Sequence, residues 1–438
     1  MKDSKKFYKE QTKFILSSAI VYAFFYLTRK NLSMAQPHML EEGVMTTIQI
    51  GTMLSIHGIV YGLSRFINGF WADSLNGRIF MTIGIGLSAI ANFMFGMSEL
   101  AIMFTVFWVI NGWTQGMGFP PCAKMLTHWI HPKELATKMS IWNTSHSFGA
   151  VMALGLCSFL FFLQSSNNWL GVNWSAFGIN WRWCFYVPAV LAGLIAVFCF
   201  FCVKESPKEA GVEELEIEGG KNEAESQATV TNSERFRLVF CNKVIWLVAL
   251  ANFFVYIVRF GFLDWGPTFL KQFKGIPVAK GGLMIIAFEL AAVVGTIFAG
   301  WVTDKWFKGR GVRTCVFCML FAALFAFGFW FLPQGAPIWQ ATILLMGAGF
   351  CIYGPQALVG IIAANQATKE AAAMANGFAG IMGYLSTLVS GIGVAFMKEH
   401  YGWGAALCSI SGFAIIGMLL FLFAWSANAT GYKRENKQ

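Results

Sequence analysis

Charge is what this sequence has least of. Only 12% of its 438 residues are Asp, Glu, Lys or Arg, against about 25% in soluble globular proteins. With 56% of residues hydrophobic and a mean hydropathy of +0.57, the chain has more apolar surface than a water-soluble core can enclose. A bilayer is its natural solvent. Basic runs are missing as well. The net charge of +10 is spread over short loops, which argues against nucleic acid and fits the excess of Lys and Arg on the cytoplasmic side of membrane proteins. The ten cysteines fall singly in apolar stretches, apart from the pairs Cys199/Cys202 and Cys315/Cys318. Both pairs lie inside expected membrane helices without polar neighbours, so they read as packing residues rather than redox or zinc sites. No Walker phosphate loop is present, and no nucleophile or metal cluster stands out. An enzyme acting on phosphate esters, a nucleotide-driven pump and a bound metal or other cofactor are therefore not expected.

Long apolar runs fill the rest. A membrane span needs about 20 mostly apolar residues. That length predicts twelve helices, near 12–35, 47–72, 78–97, 100–122, 139–163, 183–203, 244–270, 279–303, 313–332, 337–363, 370–397 and 403–427. The first run contains Arg29 and lacks a small-residue cleavage site, so it reads as a retained helix rather than a signal peptide. Residues 204–243 are polar and rich in Glu, from Glu205 to Glu218, and predict a partly flexible linker. The expected organisation is a bundle at 1–203, the linker at 204–243 and a second bundle at 244–438. Lys2, Lys5, Lys6, Lys9 and Lys13 crowd one end, Lys433, Arg434 and Lys437 the other, and Lys133, Lys138, Lys305, Lys308, Arg310 and Arg313 mark alternate loops. The positive-inside bias places both termini in the cytoplasm.

The halves repeat. Tyr26-Leu-Thr-Arg29 matches Tyr256-Ile-Val-Arg259, and Gly69-x-x-x-Asp73 matches Gly300-x-x-x-Asp304 at nearly the same spacing. A direct six-helix repeat implies two bundles related by an axis along the membrane normal, with substrate bound near the midplane.

Two intramembrane arginines carry the chemistry. An arginine at a helix centre costs roughly 2.5–3.5 kcal/mol even on lenient scales. Arg29 and Arg259 at equivalent depth in the two halves therefore point to a ligand that repays the cost. Two guanidinium forks suit a phosphate. Lys30 is turned about 100° from Arg29 and is expected to meet a charge partner or a second edge of the ligand. Arg65 is either a site residue or a helix-end arginine. Asp264 and Glu289 are expected to balance the buried cations. His146 shares a polar notch with Asn143, one turn away, and is either a helix-satisfied histidine or a donor to phosphate that titrates near neutrality. Tyr22 and Tyr26 can line one face with Arg29. Asp73 with Arg78, and Asp304 with Arg310, form either a cytoplasmic latch or a static loop clamp, and their glycines allow close helix approach. Pro120-Pro121 and Tyr353-Gly354-Pro355 are expected to kink their helices.

These residues resemble a known family. The stretches Phe25-Tyr-Leu-Thr-Arg-Lys-Asn31, Pro120-Pro-Cys122, Trp142-Asn143 with His146, Val255-Tyr-Ile-Val-Arg259, Leu263-Asp-Trp265, Phe288-Glu289 and Tyr353-Gly-Pro-Gln356 are similar to the organophosphate:phosphate antiporters of the major facilitator superfamily. That group holds bacterial glycerol-3-phosphate, hexose-6-phosphate and phosphoglycerate transporters and a hexose-phosphate sensor. The resemblance covers nearly all of the chain outside 204–243. It implies an all-α fold of twelve transmembrane helices in the bacterial inner membrane, and exchange of an organic phosphate for inorganic phosphate by alternating access. It also implies phosphoryl binding by Arg29 and Arg259 with a contribution from His146, a path lined by Tyr22, Tyr26 and Tyr61, and charge pairs involving Lys30, Asp264 and Glu289. Arg65 stands where members commonly carry lysine, and Ser147-Phe-Gly-Ala150 replaces a common Asn-Val-Gly-Gly. Phe288-Glu-Leu290 and Tyr353–Gln356 lean toward the hexose-phosphate branch. The alternative is a sensor of external hexose phosphate that signals to a membrane histidine kinase. A monomer is expected in either case.

Overall fold

The computed structural model describes residues 2–166, 169–212, 232–367 and 371–428. The middle of the predicted linker, Asp73's side chain and the last lysines and arginine lie outside the described residues. Among the described residues the chain is helical, with one isolated β-bridge between Trp169 and Val172. Fifteen α-helices follow one another: α1 Lys2–Glu41, α2 Thr47–Ser74, α3 Gly77–Met97, α4 Ala101–Gln115, α5 Phe119–Trp129, α6 Pro132–Asn143, α7 Ser145–Gln164, α8 Trp183–Cys202, α9 Asn232–Phe240, α10 Lys243–Lys274, α11 Val278–Lys305, α12 Gly311–Phe331, α13 Ile338–Gln366, α14 Ala372–Leu385 and α15 Val394–Phe423. Nine described segments are long and apolar enough to cross a membrane by themselves.

That number falls short of twelve for three physical reasons. α1 carries a lysine-rich first third and polar residues throughout, so its composition is diluted. The fourth expected span is divided where Gly116 to Gly118 interrupt it, and Pro120 and Pro121 open α5, positions that tolerate a missing N–H. The last two expected spans run together in one 50-residue stretch, Met374–Phe423. Gly402 turns the corner inside it at φ 80°, a conformation that favours glycine. A π-helical turn at Val389–Gly393 precedes that corner, and Trp265 Nε1 donates to the carbonyl of Ser390 at 2.8 Å. The fifth expected span is also interrupted, at Thr144, whereas α13 runs through Pro355 as one helix.

Helix starts follow ordinary capping. Thr46 and Gln49 form a reciprocal capping box at the head of α2, and Asn76 caps α3 through the Ile79 N–H at 3.1 Å, each satisfying donors that the first turn leaves open. Large apolar side chains such as Leu63, Phe66, Ile90, Leu194, Phe201 and Ile297 are exposed, which suits a lipid-facing surface.

Two compact units divide the chain. The first is Met1–Glu218 with Leu270–Gln272 and Ile276–Ile286; the second is Gly219–Phe269 with Phe273–Gly275 and Ala287–Gln438. The ends of the predicted linker are packed rather than loose. Val212 joins the first unit's core beside Phe7 and Val203. In the second unit, Phe240 of α9 meets Phe378 edge-on at 5.0 Å.

Candidate functional site

In the first unit α1 is held in register by a buried polar cluster. Asn92 and Asn111 each donate to the backbone carbonyl of Thr28 at 3.0 Å. The Thr28 hydroxyl lies 2.9 Å from Ser88 Oγ and accepts from Gln115 Nε2 at 3.0 Å. Ser88 in turn donates to Asn111 Oδ1 at 2.6 Å. All five residues are buried. In an apolar environment such bonds fix helix rotation because an unmade one has no water to replace it. The peptide they grip is the one that precedes Arg29, so its direction is set by three helices, α1, α3 and α4.

Arg29 is half-buried, and its guanidinium lies 3.9 Å from the centroid of the Tyr61 ring and 5.6 Å from that of Tyr26. An arginine stacked on aromatic faces keeps its planar fork pre-oriented. The aromatic wall continues: Tyr26 meets the His146 imidazole edge-on at 5.5 Å, Tyr22 meets Tyr26 at 5.7 Å, and Tyr22 stacks on Trp142 at 4.8 Å. Phe119 packs against Tyr22 and Trp142, both at 6.1 Å, and the Arg65 guanidinium sits 4.2 Å from the Phe119 centroid. α1 and α7 can come this close because of Gly149, where a Cβ would stand 2.2 Å from the carbonyl oxygen of Ala23.

The break between α6 and α7 has a chemical consequence. Around Thr144 the backbone tightens: Thr144 N–H reaches Ile141 O at 3.1 Å and Ser147 N–H reaches Thr144 O at 3.0 Å. The Ser147 donor is thereby turned to Thr144, and His146 Nδ1 bonds the Asn143 carbonyl. A carbonyl only accepts, so Nδ1 carries the proton and Nε2 is left as the variable nitrogen. Ser147 Oγ lies 3.4 Å from Nε2. The histidine can therefore accept when neutral and donate to an anion when charged.

In the second unit Arg259 is buried. Its Nη2 donates to the Tyr353 hydroxyl at 3.1 Å, and that hydroxyl donates to Glu289 Oε1 at 2.8 Å. Rings of Tyr353, Phe260 and Tyr256 lie 4.7, 5.6 and 5.8 Å from the guanidinium carbon, and Tyr256 meets Tyr384 edge-on at 6.0 Å. Gly349 brings α13 against α11, since a Cβ there would lie 2.5 Å from the carbonyl oxygen of Phe288. That approach sets Glu289 and Tyr353 beside each other. The chain of bonds lets a carboxylate offset a buried cation through a phenol, which lowers the cost of burying the arginine.

The structure thus gathers Arg29, Tyr22, Tyr26, Tyr61, Arg65, His146 and Asn143 in one unit, and Arg259 with Glu289 in the other. Lys30 is buried on a different side of α1 from Arg29, and Asp264 is half-buried further along α10. Of the two expected latches, the first turns on Asp73, whose side chain lies outside the described residues. Arg78 pairs with Glu209 at 2.5 Å, beside a Lys124–Glu205 pair at 3.2 Å, so the arginine is engaged by the start of the linker. Among the described residues Asp304 and Arg310 form no ion pair. Among the described residues nothing lies within 4 Å of a Cβ at Gly69 or Gly300, so no close helix approach is seen at these glycines. Tyr353, Phe119 and the Ser88, Asn92, Asn111 and Gln115 cluster have no role in the sequence-based expectations beyond a kink at Tyr353. The recurrence of Ser88 and Asn92 one turn apart in an apolar helix is the signal that points to such a cluster.

Comparison with known proteins identifies the family. The profile of the Major Facilitator Superfamily matches residues 18–391. The chain is 34% identical to the glycerol-3-phosphate transporter of Bacillus subtilis (strain 168), covering 95% of this chain and 92% of that one. It is 32% identical to a probable hexose phosphate transport protein of Chlamydia pneumoniae, covering 97% and 93%. With the membrane sensor protein UhpC of Escherichia coli (strain K12) the identity is 31%, over 93% and 90%. Among solved structures, a bacterial homologue of the human lysosomal transporter Spinster, inward-facing and unoccupied, superposes with a TM-score of 0.78 at 17% identity, covering 95% of this chain and 97% of that one. The fold is therefore that of twelve transmembrane helices in two six-helix bundles, and the chain belongs to the major facilitator superfamily, within the organophosphate:phosphate antiporter family.

Proposed function

We propose that the protein is a secondary transporter in the bacterial inner membrane that exchanges an organic phosphate, of the hexose phosphate or glycerol 3-phosphate class, for inorganic phosphate. The observation that carries this reading is the pair of aromatic-braced intramembrane arginines. Arg29 lies against Tyr61 and Tyr26, and Arg259 is tied through Tyr353 to Glu289. A membrane protein keeps such cations where a substrate uses them. Phosphate brings close to two negative charges and several acceptor oxygens, which two guanidinium forks can share. His146, with its proton on Nδ1, offers Nε2 to the same anion when protonated. Tyr22, Tyr26, Tyr61, Asn143 and Arg65 supply the path and the organic-group contacts, and Lys30 and Asp264 belong to neighbouring charge pairs. The names of the relatives, transporters of glycerol 3-phosphate and hexose phosphate, support the substrate class.

Exchange rather than one-way flow follows from charge. Without an anion the site carries two like charges, so reorientation of the unloaded carrier is slow; with phosphate bound it is fast. Outward movement of inorganic phosphate down its gradient then drives uptake of the ester by alternating access.

The test is counterflow of labelled phosphate in proteoliposomes. Arg29→Lys and Arg259→Lys should each lower exchange at least about a hundredfold, because a point charge cannot reproduce a bidentate fork. Normal exchange by either variant would remove that residue from the site. The second reading, a sensor of external hexose phosphate that signals to a membrane histidine kinase, is favoured by the likeness to UhpC. It predicts no counterflow above leak in the wild-type protein.

A further inference from the structure

The first unit carries a cavity that shares no residue with the arginine site. It has a volume of about 480 Å³ and lies among α1, α5, α8 and the start of the linker, with Lys13, Leu16, Ile20, Phe198 and Lys204 in its lining. That volume is in the range of small-molecule sites. Its walls are built rather than incidental. The Trp129 indole stacks on Phe14 with centroids 5.3 Å apart and planes within 9°. Its Nε1 donates to the carbonyl of Lys204 at 3.0 Å, which fixes Lys204, two residues past the end of α8, at the rim.

The register along α1 shows what the cavity is suited to. Lys9, Lys13, Leu16 and Ile20 are exposed in succession at spacings of three and four, so they form one stripe on the helix. Within two turns that stripe passes from cations to large apolar side chains. Such a change marks a crossing from headgroups to hydrocarbon, where lysines keep their charge in the wet layer. The cavity straddles this boundary. Its polar end holds two lysines against one glutamate, and Glu10 is already engaged by Lys13 at 2.5 Å. The lining therefore keeps an excess of positive charge. Its apolar end is open to the bilayer through Leu16, Ile20 and Cys202.

We propose that this cavity seats one anionic phospholipid of the leaflet at the lysine-rich end. Lys13 and Lys204 hold the headgroup phosphate, and an acyl chain follows Leu16, Ile20 and Phe198. Charge complementarity selects an anionic over a zwitterionic headgroup, and continuity with an exposed apolar stripe selects a lipid over a soluble anion. Because Lys204 opens the linker and Trp129 closes α5, a lipid here braces the linker's first residues against the bundle.

The experiment uses the full-length protein, moved from nanodiscs of phosphatidylglycerol or phosphatidylcholine into mild detergent and weighed by native mass spectrometry. The expected result is one retained phosphatidylglycerol per chain under conditions that strip phosphatidylcholine. Each lysine near an anionic surface changes binding roughly fivefold, so K13Q should lower retention by about that factor, K13Q/K204Q by more, and K13R/K204R should keep it. The Lys13 side chain is 59% exposed, so K13Q tests the idea without threatening the fold. Equal retention of the two lipids by the wild type, or unchanged retention by K13Q and K13Q/K204Q, overturns the proposal. Release of the bound lipid by inorganic phosphate would assign the cavity to a soluble anion and overturn it as well.

Discussion

Tyr353 stands between the buried Arg259 and Glu289 of the second unit. In the sequence it sits two positions before Pro355 and reads as part of a kink. In the fold its hydroxyl accepts from Arg259 and donates to Glu289, so one phenol orders a cation and a carboxylate. Tyr353→Phe keeps the ring against the guanidinium and removes only the hydroxyl. Losing a buried bond to a charged group costs about 1.5–3 kcal/mol, which corresponds to a loss of roughly ten- to a hundredfold in apparent phosphate affinity. Counterflow over a range of phosphate concentrations checks it: a rise in KM with kcat little changed is expected if the tyrosine acts by positioning Arg259. An unaltered KM would show that Glu289 orients Arg259 without it. Sequence reasoning reaches Arg259 and Glu289 because charge in an apolar helix is conspicuous. It does not reach the tyrosine, because an aromatic residue in a membrane helix is commonplace until its neighbours are known.

At the scale of elements, the polar cluster around the Thr28 carbonyl is what aims α1. Asn111→Leu removes the donor to Thr28 O and the acceptor of Ser88. Interhelical hydrogen bonds in membranes contribute about 0.6 kcal/mol on average and up to about 1.7. A loss of roughly 1–2 kcal/mol in unfolding stability is expected from two such bonds, with a larger relative loss of exchange because Arg29 is the next residue. Chemical unfolding in detergent, read beside counterflow, measures both; full exchange in a destabilised protein would separate the cluster from the site. The linker's opening is a second case. Arg78–Glu209 and Lys124–Glu205 tie it to the first unit. These pairs are partly exposed, so screening keeps each near 0.2–1 kcal/mol. A double-mutant cycle on Arg78→Ala and Glu209→Ala should give a coupling in that range at low salt, shrinking as salt is added. A coupling of zero at low salt would make the pair ornamental.

For the molecule as a whole, the prediction concerns obligatory exchange. Proteoliposomes loaded with phosphate should take up labelled phosphate much faster than empty ones, by at least about tenfold, since the like charges of an anion-free site make the empty carrier's reorientation costly. Equal uptake by loaded and empty vesicles would replace exchange with uniport. Competition by hexose phosphates, glycerol 3-phosphate and phosphoglycerates against that counterflow then assigns the organic group.

By itself the amino-acid sequence determined the solvent, the number of spans, the internal repeat and the two arginines. Each of these depends on a cost that is large and local: apolar length against water, or a charge against hydrocarbon. Tertiary structure alone decided which neighbours complete each site. It turned Tyr353 into a bridge and Phe119 into a partner of Arg65. It gave the Asn143 carbonyl to His146 and set Glu209 against Arg78. Those outcomes depend on helix rotation, on glycines that admit a second helix, and on single hydrogen bonds contributing about 1 kcal/mol each. Contacts of that size leave no mark in composition or periodicity, because they exist only after the helices have packed.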